Sequence, residues 1–255
     1  MNLLEGQDVT VHFNVHGGVI KAVDLVNFAL PQGQIVGIVG ESGSGKSTFA
    51  RVLAGIQIPT SGSVSYLGKP IQEGKITFKG ELRQAVQMVF QDPYGSLNPR
   101  MRIISAVAEA VRQHQNVEKS EAKEIAQKLL ESMGISALDS RKYPSALSGG
   151  QRQRASVARA LSAQPKILIA DEPTSAIDQS AQAQLLGLFN ELIKDGLSIV
   201  LVSHDLGVIR YLSDYVYVMK DGKFVEEGKT EAIFNSPKEE YTKKLISSIP
   251  GHMSR

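Results

Sequence analysis

The nine residues "GESGSGKST", Gly40 to Thr48, hold more glycine and hydroxyl than a packed core could use, and they directly follow the apolar run "IVGIV". A polar, flexible loop at the end of a buried strand is suited to wrapping something that carries negative charge. Gly40, Gly45, Lys46 and Ser47 meet the pattern G-x-x-x-x-G-K-[ST] in full. Backbone N–H groups along Gly40, Glu41, Ser42, Gly43, Ser44, Gly45 and on to Thr48, with the start of the next helix, form a nest for phosphate oxygens. In that pattern Lys46 reaches the β- and γ-phosphates, and the Ser47 hydroxyl ligates Mg²⁺. A bare strand-to-helix turn is the plain alternative. A dinucleotide-binding turn is the nearer rival, but it wants G-x-G-x-x-G and leaves Lys46 unexplained. The loop is read as a nucleoside triphosphate site.

Such a site needs an acid to hold the metal and a group to activate water. "ILIADEPTS" supplies both at the end of an apolar run. Asp171 would hold Mg²⁺ through water, and Glu172 would orient and polarise the attacking water. Gln91 follows "AVQMVF" and opens into "DPYGSLNPR". Its amide is placed to sense metal and water, although alone it reads as an ordinary loop residue. His204, in "LVSHD", likewise ends an apolar run; a histidine there would hold the leaving group or water in place. "LSGGQRQR" puts Ser148, Gly149, Gly150 and Gln151 at the start of a predicted helix, a second anion site. Two phosphate-binding helix starts in one chain make geometric sense if two chains meet head-to-tail, each completing the other's site.

The elements that must position these groups follow from periodicity. "QIVGIV" reads as a buried strand and "KSTFARVLAGI" as a helix stopped near Gly55. The first thirty residues alternate as strands about His16-Gly17-Gly18, with further short strands in "TSGSVSYLGKP" and "GKITF". "AVQMVFQ", "KILIA" and "LSIVLVS" are buried strands, and "QAQLLGLFNELIKDG" is an amphipathic helix. "YVYVMKDGKFVEEG" reads as a hairpin turning at Asp221-Gly222, and the tail as a short helix and a frayed end. From about Asn98 to Leu147 the texture is helical; Ala122, Ile125, Ala126, Leu129, Leu130 and Met133 form one stripe, read as core, with Gly134 as the stop. The predicted fold class is α/β: a P-loop core with a mainly parallel sheet, an antiparallel β subdomain and an inserted α-helical subdomain. It is read as one domain over 1–255, with a core of about 1–97 and 156–255 and an insertion of about 98–155.

Composition removes whole classes of function. Lys and Arg number 28 against 26 acidic residues, a formal net charge of +2, so nothing electrostatic argues for nucleic acid as a partner. The absence of cysteine excludes disulfides, thiolate-held zinc or iron–sulfur clusters and thiol catalysis. The N-terminus lacks the apolar run of a signal peptide, and no stretch approaches the ~18 apolar residues of a membrane span. Any membrane role is expected to come through a partner.

In their order along the chain these motifs resemble the ATP-binding subunits of ABC transporters, over nearly all 255 residues. "GESGSGKST" resembles the family's Walker A, Gln91 its Q-loop, "LSGGQ" its signature, "ILIADE" its Walker B, "SAID" its D-loop and His204 its switch histidine. The resemblance implies Phe13 as the aromatic that stacks on adenine, adding little base specificity. "QDPYGSLNPR" and "EEGKTEAIFNSPKEEYTKKLISSIP" are similar to the dipeptide/oligopeptide/nickel import group. Longer members of that group carry a cysteine-bearing C-terminal segment absent from this sequence, and Ile177 stands where Leu is usual in the D-loop. The transported solute therefore stays open.

The expectation is an ATPase that binds ATP and Mg²⁺ and drives peptide-type import. Catalysis would fall to Glu172, His204 and Lys46, and metal binding to Ser47, Gln91 and Asp171. Ser148, Gly149, Gly150 and Gln151 would act in trans on a second ATPase subunit, a heterodimer being favoured. Two permease subunits and, indirectly, an extracytoplasmic solute-binding protein are the further partners, with the chain peripheral on the cytoplasmic face of the inner membrane. A non-transport ABC ATPase, such as one serving phosphonate breakdown, is the alternative. A regulatory scaffold that binds ATP without hydrolysis is disfavoured by the presence of both Glu172 and His204.

Overall fold

The computed structural model describes residues 1–73, 76–77, 81–175 and 177–248. β1 (Asn2–Val15) and β2 (Gly18–Pro31) form a long antiparallel hairpin, registered from Asn2↔Pro31 to Val15↔Gly18 about the predicted turn. β3 (Ile35–Val39) is buried at every residue and feeds the glycine loop and α1 (Lys46–Leu53). That helix ends as expected, with Gly55 in the left-handed region at φ 65°. β4 (Ser61–Tyr66) and β5 (Lys69–Pro70) complete a four-stranded sheet in the order β2-β1-β4-β5, and β6 (Gln72–Glu73) pairs with β7 (Ile76–Thr77). Of the strand expected in "GKITF", only Ile76 and Thr77 fall within the described residues, as part of β7; Ala176 and the tail from 249 also lie outside them.

α2 (Glu81–Ala85) leads into β8 (Val86–Val89), so the expected strand is shorter than "AVQMVFQ" and Gln91 lies two residues past its end. The helical stretch follows: α3 (Pro93–Ser96), α4 (Ile103–Gln115), α5 (Lys119–Ser132), α6 (Ala137–Ser140) and α7 (Gly149–Leu161). On α5, Ala122, Ala126 and Leu130 are fully buried with Ile125 and Leu129 packed at the margin, so the stripe is core. α7 packs on α4 and α5 and also on β8, running without a break through position 155.

The chain closes with β9 (Ile167–Asp171), α8 (Gln179–Lys194), β10 (Ser198–Ser203), α9 (Leu206–Leu212), β11 (Tyr215–Lys220), β12 (Lys223–Lys229), α10 (Thr230–Asn235) and α11 (Glu240–Ser247). The second sheet has the order β12-β11-β3-β10-β9-β8, parallel from β11 to β8 with β12 antiparallel at one edge. Both faces of its central strands are covered, which is why they read as unbroken apolar runs. Ile199 and Leu201 of β10 face one core with α5, α7 and α8, while Val200 and Val202 face the other with Phe49 of α1 and the β1–β2 hairpin. Each such side chain contributes roughly 1.5–3 kcal/mol by leaving water. These cores lock the strands that end in the site.

Candidate active site

β10 lies between β3 and β9, with Ser203 opposite Val39 and Val202 opposite Asp171. Three segments therefore leave the sheet at its carboxyl end: the glycine loop after Val39, Glu172 after Asp171, and His204 after Ser203. Open parallel sheets bind ligands at this carboxyl end of their strands. Here it opens into a cleft of about 890 Å³ lined by the loop, Gln91, Glu172 and His204.

Two of the loop's glycines are required by contact. Gly45 has φ 108°, and a Cβ there would stand 2.1 Å from the carbonyl oxygen of Ala22; one on Gly40 would stand 2.1 Å from that of Met219. Gly45 offers no side chain to cap α1, so the helix's first N–H groups stay available to an anion. Gly43 and Gly45 thus present backbone rather than side chain.

Lys46 differs from its expectation in one respect. A lysine reads as solvated from sequence, but Lys46 is only 5% exposed, and its Nζ donates to Gly40 O and Glu41 O, both at 2.7 Å. The loop turns its own carbonyls onto the ammonium. Burial lowers the lysine's pKa from its ordinary value, and the carboxylates of Glu172, Asp171 and Glu41 oppose that shift.

Ser47 Oγ donates to Asp171 Oδ1 at 2.9 Å, joining residues 124 apart. Burial raises the Asp171 pKa above the usual carboxylate value; the Ser47 bond pulls it back, and the neighbouring Glu172 pushes it up further. Among the described residues no three His, Cys, Asp or Glu side chains gather as a metal cage. Mg²⁺ is a hard ion commonly held by one or two protein oxygens and its substrate's phosphates. The Ser47 hydroxyl and the Asp171 carboxylate fit that donor set, and Gln91 faces the same cleft.

Glu172 is 7% exposed and has φ 49°, unusual for a side chain of its size. Its N–H donates to Val202 O at 2.9 Å, so the turn after β9 is pinned to β10. Its Oε2 lies 2.7 Å from Nδ1 of His204, whose side chain is 61% exposed. A carboxylate only accepts, so the proton of this contact sits on the imidazole.

Two sets of predicted residues stand apart from the cleft. Phe13, 39% exposed, is not in its lining, but its cross-strand partner Ile20 is. Ser148 is the exposed N-cap of α7: its Oγ accepts the Gln151 N–H at 3.2 Å, while Gln151 Oε1 accepts the Ser148 N–H at 3.0 Å. The N–H groups of Gly149 and Gly150 have no acceptor within the helix. Neither these residues nor Ser148 and Gln151 line this chain's cleft.

Sequence reasoning missed the opposite wall. Asp221 and Gly222 come from the β11–β12 turn, and Lys244, Leu245 and Ser248 from α11 and its C-terminus. No local pattern ties these to phosphate chemistry, because they reach the cleft only through sheet order and helix docking.

The ABC transporter family model matches residues 23–175. The oligopeptide transport ATP-binding protein OppF of Lactococcus lactis (strain IL1403) is 39% identical over 97% of this chain and 80% of its own length. The di/tripeptide transport ATP-binding protein DppF of Pseudomonas aeruginosa is 41% identical, covering 97% and 79%. Among solved structures, the dimeric ATP-binding cassette MJ0796 bound to ADP and Pi superposes with a TM-score of 0.79 at 28% identity, covering 89% of this chain and 98% of that one. With the loop, the acidic pair and the histidine assembled at the carboxyl end of one sheet, and with relatives matching almost its whole length, this chain belongs to the ABC transporter family.

Proposed function

We propose that the chain is the ATP-hydrolysing subunit of a peptide-type import system, with dipeptides, oligopeptides or metal complexes as the solute class. The observation that carries this is the Glu172–His204 contact at 2.7 Å, made in the same cleft as Lys46 and beside the Ser47–Asp171 pair. The names of the peptide-transport relatives support import over phosphonate breakdown.

In this reading the loop amides from Gly40 to Thr48 cradle the phosphates, and Lys46 turns its ammonium from the loop carbonyls toward them. Ser47 and Asp171, with Gln91 from the same cleft, would hold Mg²⁺, which would neutralise phosphate charge when bound. Glu172 accepts a proton from the attacking water through Oε1, the oxygen without a side-chain bond among the described residues. His204 fixes the orientation of that carboxylate through Nδ1. Phe13, next to Ile20, stacks on the adenine.

Ser148, Gly149, Gly150 and Gln151 serve the ATP of a second subunit, and a heterodimer is the favoured assembly. The partners are two permease subunits and, indirectly, a solute-binding protein, with the chain peripheral at the cytoplasmic membrane face. Among the described residues no helix is long and apolar enough to cross a membrane. The whole of 1–255 acts as one domain, 98–155 being the helical insertion. Two measurements test the proposal: steady-state ATPase of Glu172→Gln, and copurification of the tagged chain with two multi-spanning membrane proteins. Unimpaired turnover sinks the mechanism; repeated purification without any membrane subunit sinks the transport reading.

A further inference from the structure

A helix outside every nucleotide motif forms one side of the cleft. Tyr241, Lys244, Leu245 and Ser248 fall at i, i+3, i+4 and i+7 along α11 and its C-cap, so they share a face. That face is turned to the glycine loop. The Tyr241 hydroxyl accepts the Glu41 N–H at 3.1 Å across 200 residues of sequence, and Lys244, Leu245 and Ser248 line the cleft. The helix is firmly seated: Ile246 is buried in the main core with Tyr241 and Leu245 at its margin, and Lys220 Nζ stands 5.0 Å from the Tyr241 ring centroid. At the entry to α11, the N–H groups of Lys238 and Glu239 both donate to the Glu226 carboxylate.

The two adjacent lysines of α11 are used differently. Lys243 pairs with Glu240 at 2.6 Å, whereas Lys244 is in no ion pair among the described residues. Lys21, another cation of the cleft, already stands 3.9 Å from Asp24. Lys244 is therefore an ammonium on a flexible stem at the rim of the cleft, attracted by Glu240 one helical turn away but in no close ion pair with it. Lys244 is exposed at the mouth of the cleft, on a helix that Tyr241 and Ile246 hold in place.

We propose that α11 is the outer wall of the nucleotide site and that Lys244 contacts the triphosphate of the ATP bound by its own chain, adding to Lys46. This rests on the reading of the cleft as an ATP site. The test is ATP titration of the full chain and of Lys244→Gln, Lys244→Glu, Lys46→Ala and Lys128→Glu, the last an exposed control on α5. Lys244→Gln should raise the Kd for ATP roughly three- to tenfold, and Lys244→Glu further. The effect should be smaller for ADP and should shrink at high salt. Lys128→Glu should leave affinity unchanged. ATP binding by wild type with Lys244→Glu indistinguishable from Lys128→Glu overturns the role of α11 alone. Failure of wild type to bind ATP, or unchanged affinity in Lys46→Ala, overturns the nucleotide reading and this inference with it.

Discussion

Glu172 Oε2 and His204 Nδ1 meet at 2.7 Å although the residues are 32 apart in sequence, and the glutamate reaches this position from a backbone at φ 49°. Holding a non-glycine residue there costs of order 1–3 kcal/mol, which the N–H bond to Val202 O and the packed strands offset. The result is a nearly buried carboxylate aimed by an exposed imidazole. A base must be positioned before its proton affinity matters.

Glu172→Gln keeps the shape but would remove the proposed base, so ATP hydrolysis should fall by about 10²-fold or more. ATP binding should persist, and closed dimers should accumulate. His204→Ala should lower turnover through misorientation while leaving ATP affinity near normal. Phosphate-release assays alongside nucleotide titration check both, and full activity in Glu172→Gln contradicts the assignment.

If Lys46 contacts phosphate as proposed, Lys46→Ala would remove a charge-assisted bond worth about 1.5–3 kcal/mol, so ATP affinity should drop roughly tenfold to a hundredfold. Because Nζ also holds Gly40 O and Glu41 O, the loop itself should loosen without unfolding the chain. Titration calorimetry reads the affinity, and amide exchange over 40–48 reads the loop. A loop with unchanged protection would mean those two bonds contribute nothing.

Asp171 gives a pH-dependent prediction. Its raised pKa means that the native state binds the proton more tightly than the unfolded chain does. Its ionisation therefore subtracts from stability: the penalty is absent below the ordinary carboxylate value and fully present above the raised one. Nucleotide-free Asp171→Asn should melt a few degrees above wild type at pH 8, and the gap should narrow on acidification. It should also lose Mg²⁺-dependent ATPase. A melting gap that does not change with pH would contradict the burial argument.

Ser148→Arg tests the two-chain geometry. In the proposed trans role, the substitution would put bulk and charge where the N–H groups of Gly149 and Gly150 would approach a partner's phosphate. ATP-driven association should fail, while the monomer's ATP affinity stays near normal because Lys46 and Ser47 are untouched. Loss of the cap alone costs about 1 kcal/mol, so Ser148→Ala is the control for stability. Sedimentation of Glu172→Gln with and without Ser148→Arg, using the true partner subunit, reads the outcome. Association that persists unchanged, or monomers that no longer bind ATP, would remove the trans role.

What the sequence determined by itself was local chemistry. The glycine loop, the Asp171–Glu172 pair and the Ser148 cap are each encoded in a few contiguous residues, and each depends on the strand or helix that it directly adjoins. The buried stripe of α5 was legible for the same reason, since one face of one helix carries it. Tertiary structure alone decided which of these meet. Buried parallel strands are nearly interchangeable apolar runs, so nothing in "KILIA" or "LSIVLVS" specifies that β10 sits between β3 and β9, yet this order brings His204 to Glu172. The burial of Lys46 was hidden likewise, because a lysine reads as solvated until a folded loop turns its carbonyls inward. The wall built from α11 was least legible: Tyr241 reaches Glu41 through the docking of a helix 200 residues away, and helix docking is set by the shape of a finished core rather than by any short run of residues.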